Sequence, residues 1–210
     1  MTILALEFSS AQRSVALARA GVVLAEAMEA GGHRMTHAFG LVENVLAQAK
    51  MARAEIETIA VGLGPGSYTG IRAAIAIAQG WQLAAGVNLL GVSSAASLAA
   101  QAQTEKVFGR VNVVIDAQRG EFYLSGWEIW EAGCREIAPL KIVAAAEIAE
   151  RQAAGETSVG PEAERILFPS AAMVARLAAA RTDFVPGEKL EPIYLRATSF
   201  VKQPKATRSY

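Results

Sequence analysis

Apolar and polar positions along the chain change period several times, and each change predicts an element. Residues 3–8 form an apolar run with a single acid, Glu7, near its end, which reads as a buried strand leading into the turn-forming Ser9, Ser10, Ala11 and Gln12. Residues 14–18 and 22–28 give two more strands joined by a tight turn at Arg19-Ala20-Gly21, so the chain opens as an antiparallel meander. The period then lengthens. Ala38, Leu41, Val42, Val45, Leu46 and Ala49 share one face of a helix predicted over 37–51, with Thr36 as its N-cap. A strand over 59–61, a helix over 71–85, a strand over 88–92 and a helix over 94–103 come next, an order that requires crossovers and parallel pairing.

Residues 59–86 organise the rest. The loop Gly62-Leu63-Gly64-Pro65-Gly66-Ser67-Tyr68-Thr69-Gly70 has glycines where the backbone must turn or approach a neighbour closely. In the helix after it, Arg72, Gln79 and Gln82 are the polar side chains, and at 100° per residue they fall within roughly 80° of one another. Most of its circumference is apolar. One side meets the sheet; the other needs a second layer of the same chain or another protein.

The pattern then restarts. Residues 111–116 form an apolar strand ending in Asp116, followed by a turn at Gln118-Arg119-Gly120, a strand over 121–127 and a third over 129–134. Glu7 and Asp116 thus occupy comparable places in two weakly similar openings, which suggests a duplicated lobe, with a boundary between 1–106 and 107–210; a chance similarity of two buried hairpins is the alternative reading. Helices are expected over 142–152 and 171–181, with breaks at Gly155, Gly160-Pro161 and Phe168-Pro169. Pro192 makes 191–196 extended, and Arg196, Lys202, Lys205 and Arg208 give a basic tail without acids.

Composition narrows the function classes. With 210 residues, 52% hydrophobic and 19% charged, the chain buries a real core. A net charge of zero provides no global attraction for a polyanion, so nucleic-acid contact would be local or made by a partner. Cys134 is the single cysteine, which excludes an intrachain disulfide and fits a reducing cytoplasm. No secretory leader pattern precedes the first strand. The charge-free run between Arg72 and Glu105 is interrupted by Gln79, Gln82, Gly86, Asn88, Gly91, Ser93 and Ser94, which argues against a membrane span.

Candidate chemistry is sparse. The glycine loop lacks the Lys of a phosphate-binding P-loop, since Gly70-Ile71-Arg72 stands in its place, and it fails the dinucleotide fingerprint. A structural turn or a shape element for a partner is the better reading of Gly62, Gly64, Pro65, Gly66, Ser67, Gly70 and Arg72. His33 and His37 have helical metal-ligand spacing but lack a third ligand, so no metal is expected. Glu7 and Asp116 are the candidates for a Mg-nucleotide held between two lobes; each could equally cap the turn next to it.

Several stretches together resemble the TsaB (YeaZ) family: Ile3-Leu4-Ala5-Leu6-Glu7, Gly64-Pro65-Gly66-Ser67-Tyr68-Thr69-Gly70-Ile71-Arg72, Gly91-Val92-Ser93-Ser94, residues 115–123, and Pro192-Ile193-Tyr194-Leu195-Arg196. The resemblance implies an α/β, two-lobed actin-like ATPase (ASKHA, RNase H-like) fold with a duplicated, reduced second lobe. It further implies a non-catalytic subunit in the bacterial synthesis of threonylcarbamoyladenosine next to the tRNA anticodon. The partners implied are a catalytic TsaD-type paralogue, a small TsaE-type ATPase, a second copy of the chain when alone, and tRNA through the complex. No cofactor of its own is expected, ATP or ADP belonging to the assembled complex. By the same resemblance the interface lies on the helices over 37–51 and 69–85, with His37, Leu41, Val45, Thr69, Ala73, Ala74, Ile77, Ala78 and Trp81 as its expected residues. Relatives usually carry Asp where this chain has Glu7, which weakens a nucleotide role there. The rival readings are an actin-like kinase or ATPase acting alone and an M22-type metallopeptidase.

Overall fold

The computed structural model describes residues 1–30 and 38–195. The first half of the chain supplies β1 (Thr2–Glu7), β2 (Gln12–Arg19), β3 (Val22–Ala30), α1 (Ala38–Ala49), β4 (Thr58–Gly62), α2 (Tyr68–Ala85), β5 (Asn88–Val92) and α3 (Ser94–Thr104). The second supplies β6 (Gly109–Asp116), β7 (Glu121–Trp130), β8 (Gly133–Ala144), α4 (Ala145–Ala153), β9 (Thr157–Gly160), β10 (Arg165–Ile166) and α5 (Ala171–Ala178).

Two five-stranded sheets form, in the orders β3-β2-β1-β4-β5 and β10-β9-β6-β7-β8. Each opens with an antiparallel three-strand meander, and each adds its fourth strand parallel to the first and its fifth parallel to the fourth. Position for position, the second order is the first repeated. This is the two-lobed actin-like fold, and the restart read at Val111 is a true second lobe. That lobe is reduced: β9 passes to β10 with no helix between them, where the first lobe has α2 between β4 and β5.

Helix packing crosses between the lobes. On the first sheet, β1 is buried at every position because both faces are covered. Leu4, Leu6, Val15, Leu17, Ile59 and Val61 meet α1 and α2 on one side. On the other, Ile3, Ala5, Ala16, Ala60 and Leu90 meet α5, whose Ala171, Ala175 and Ala178 permit close approach. The helix after β5, α3, instead covers the second sheet, packing Ala95, Leu98, Ala99 and Ala102 on Val111, Val113, Trp127 and Ile129. Each lobe's last helix therefore covers the other lobe's sheet. Among the described residues no helix is long and apolar enough to cross a membrane.

Two local expectations change. The strand expected to stop at 134 runs on to Ala144, and α4 starts there rather than at 142, because the β-branched Ile142 and Val143 pair with Tyr123 and Phe122. Helix α2 begins at Tyr68, three residues early, since Ser67 serves as its N-cap: its hydroxyl accepts a hydrogen bond from the Gly70 N–H at 3.3 Å. Thr36, the expected cap of α1, lies outside the described residues.

Candidate partner-binding face

The glycine loop places α2. A Cβ at Gly62 would collide with the Glu7 carboxyl, and one at Gly70 would collide with the Phe8 carbonyl, so the loop lies directly on the end of β1. The Ser67 N–H donates to the Ser9 carbonyl at 2.7 Å, and the Gly64–Pro65 peptide is cis. Beneath the loop Glu7 is fully buried. One carboxyl oxygen accepts from the Ser9 N–H at 2.8 Å and the other from the Ser94 hydroxyl at 2.8 Å, and that hydroxyl in turn accepts from the Gly64 N–H at 3.1 Å. Desolvation raises the Glu7 pKa above its ordinary value, against the opposing pull of these hydrogen bonds. Glu7 thus holds the loop to the start of α3.

Once placed, α2 presents three flanks. Ile71, Ala74, Ile75 and Ala78 turn inward and are buried on the first sheet. Gln79 and Gln82 turn to the chain segment after α5: Gln79 donates to the Gly187 carbonyl and Gln82 accepts from the Gly187 N–H, both at 2.8 Å. The third flank, formed by Thr69, Arg72, Ala73, Ala76, Gly80, Leu83 and Ala84, is exposed, and Leu83 is 89% exposed. Gln79 and Gln82 therefore serve the helix's own chain, while a mostly apolar surface faces outward.

That surface continues across α1. Phe39, 63% exposed, lines with Ala76, Ile77, Gly80, Trp81, Ala84 and Ala85 a groove of about 550 Å³ whose rim carries the Glu43–Arg53 ion pair. An exposed large aromatic beside a row of small residues is a socket of the kind a partner side chain fills.

Elsewhere, a cleft of about 760 Å³ opens between the lobes, lined among others by Ser9, Arg13, Ser67, Tyr68, Asp116 and Glu162. Asp116 accepts from the Gln118 N–H at 2.8 Å and from its side-chain amide at 2.7 Å. Glu162 accepts from the Asp116 N–H at 3.0 Å; desolvation raises its pKa, and the nearby Asp116 adds to that. Glu7 does not line the cleft. The two acids occupy equivalent ends of β1 and β6, but Glu7 is buried beneath the loop while Asp116 lines the cleft. Among the described residues no cluster of three His, Cys, Asp or Glu side chains could hold a metal.

Residues 6–198 match the family described as tRNA N6-adenosine threonylcarbamoyltransferase, TsaD. Over 133 residues the chain is 34% identical to the tRNA threonylcarbamoyladenosine biosynthesis protein TsaB of Escherichia coli, covering 63% of this chain and 58% of that protein. The corresponding protein of Bacillus subtilis is 29% identical over 140 residues, covering 66% of this chain and 60% of its own length. The structure of YeaZ from Pseudomonas aeruginosa matches with a TM-score of 0.78 at 29% identity, covering 92% of this chain and 99% of that one. The chain belongs to the TsaB (YeaZ) family. It spans less than two thirds of the length of the curated TsaB proteins named here, 58% and 60%.

For this TsaB-family chain the expected face needs correction at named positions. Val45, Ala74 and Ala78 are completely buried in its own core and face no partner, because the inner flank of each helix is set by the sheet it packs on. Thr69 and Ala73 are exposed; Leu41, Ile77 and Trp81 are half-buried at the border of the core. His33 and His37 lie outside the described residues. Phe39, Ala76, Gly80, Leu83 and Ala84 went unnoticed in the sequence. Their signal was present in the helical phase: Ala76, Gly80, Leu83 and Ala84 lie about 90–180° from the centre of the buried row Ile71, Ala74, Ile75 and Ala78. Of the structural-loop residues, Arg72 is exposed, donating to the Tyr68 hydroxyl at 3.0 Å and lying 5.3 Å over its ring.

Proposed function

We propose that this chain is a non-catalytic partner subunit in the synthesis of threonylcarbamoyladenosine in tRNA, docking through the outer flanks of α1 and α2 on a TsaD-type catalytic subunit. The observation that carries the reading is the outward flank of α2: an apolar row from Ala73 to Ala84, with Leu83 almost fully in water, beside the exposed Phe39. Covering such a row removes apolar surface from water at roughly 25 cal/mol per Å², a gain that the isolated chain leaves unrealised. Alanine and glycine at the contact let a second pair of helices approach closely, and the same surface serves a second copy of the chain when the paralogue is absent.

In this reading the TsaE-type ATPase joins the assembled pair, tRNA is reached through the complex, and the site of action is the cytoplasm. ATP or ADP belongs to the assembly: Glu7 is committed to the loop beneath α2, and the acids that line the cleft are Asp116 and Glu162, both from the second lobe. Native mass measurement of the chain mixed with the TsaD-type subunit of the same organism tests the proposal, the expected species being a one-to-one complex. Calorimetric titration of the isolated chain with Mg-ATP is expected to give no binding heat. Tight binding with turnover and no complex would replace this reading by that of a free-standing actin-like kinase or ATPase.

A further inference from the structure

Beyond α5 the chain returns to the first lobe and grips α2 from end to end. The Arg181 guanidinium donates to the Gly91 carbonyl at 2.7 Å and the Val185 N–H to the Leu89 carbonyl at 3.0 Å, so the segment runs along β5, the edge strand of the sheet. At Gly187 it meets Gln79 and Gln82. Leu190 is buried in the core that α2 shares. The Ile193 N–H then donates to the Leu63 carbonyl at 2.8 Å, and the Tyr194 ring stacks on Tyr68, the first residue of α2, with centroids 5.2 Å apart.

We propose that this strap, residues 185–194, fixes the rotational setting of α2 and so determines which flank is offered to a partner; the inference rests on the docking role of that flank. The reason lies in the composition of the helix. Ala73, Ala74, Ala76 and Ala78 are equal in size, and a rotation of about 100° that seats Ala73 in place of Ala74 exchanges the inward Ile71 and Ile75 for Ile77 and Trp81, so each setting turns two large apolar side chains to the sheet. Hydrogen bonds are directional, and a buried amide without its partner is costly. The paired bonds that Gln79 and Gln82 make with the carbonyl and the N–H of one residue, Gly187, with the Tyr68–Tyr194 stack at the other end, select a single setting. Tyr68 also lines the inter-lobe cleft, so the far end of the strap is where cleft and face adjoin.

The test uses the full chain carrying Gln79→Leu with Gln82→Leu, and separately Leu190→Ala; none of these residues lies on the outer flank. Hydrogen exchange and affinity for the TsaD-type subunit are read together. The expected result is faster exchange in 185–194 and over the first turn of α2, unchanged protection in β1 and β4, and affinity at least tenfold weaker. Faster exchange in the strap with undiminished affinity would overturn the inference, as would unaltered exchange. Should those variants fail to fold, Tyr194→Ala and Tyr194→Phe decide. Among the described residues the buried Tyr194 hydroxyl has no hydrogen-bond partner, so Phe is expected to bind like the parent and Ala several-fold more weakly, and equal affinities would sink the inference. Ala76→Arg separates the two layers. Full affinity in that variant removes the docking reading itself, whereas lost affinity there with none lost in the strap variants removes the strap alone.

Discussion

The two lobes share one strand order, and they part company after the fourth strand. In the first lobe β4 leads through the glycine loop into the long helix α2; in the second, β9 turns through Gly160-Pro161 straight to the two-residue β10. The acids at the ends of the first strands diverge with them. Glu7 is sealed under the loop that carries α2, while Asp116 keeps a turn at the edge of the cleft. A duplicated topology has thus been elaborated unequally: the first lobe carries the exposed apolar flank of α2, and the second completes the core by lending α5 to the first sheet.

That contrast breaks most readily on the inner flank of α2. Ala74→Arg places an unpaired charge against the first sheet and is expected to cost about 3–5 kcal/mol, read as a lowered urea midpoint. Ala76→Arg, two residues on and exposed, is expected to shift stability by no more than about 0.5 kcal/mol. Next in size is Gly62→Ala, whose Cβ meets the Glu7 carboxyl; a loss of about 2–3 kcal/mol is expected. Combined with Glu7→Asp, which withdraws the carboxyl by one methylene, part of that loss should return, so a double-mutant cycle would show coupling between the two positions.

Glu7→Gln sharpens the comparison through pH. With the folded pKa of Glu7 above 4.5, the unfolded chain releases this proton first as pH rises, so the stability Glu7 contributes is full below the ordinary value and declines through the raised one. Relative to the parent, Glu7→Gln should therefore gain stability as pH increases across that window. Asp116→Asn, by contrast, retains an oxygen for the Gln118 N–H and should change stability by less than about 1 kcal/mol.

The sequence made the meander, the crossovers and the second opening at Val111 legible because each rests on a local period. It also exposed the central imbalance of α2, too apolar for one sheet to cover. What it concealed was direction. The polar residues of a surface helix ordinarily mark the side facing water, yet Gln79 and Gln82 face residue 187, more than 100 positions along the chain. Nothing local to α2 signals that the strap will return, so the sequence does not separate Ala74 and Ala78 from Ala73. The long β8 was hidden similarly: Ile142 and Val143 fit the apolar spacing of a helix until Phe122 and Tyr123 are there to pair with them.

The central claim is that the outer flank of α2 is a docking face while the inner flank belongs to the chain's own core. Its most direct measurement is the dissociation constant of the TsaD-type subunit for the parent chain and for Ala76→Arg, with the urea midpoint of each determined in parallel. A loss of affinity of a hundredfold or more in a variant that unfolds at the parent's midpoint is the predicted result. Parent-like affinity in a normally folded Ala76→Arg would contradict it.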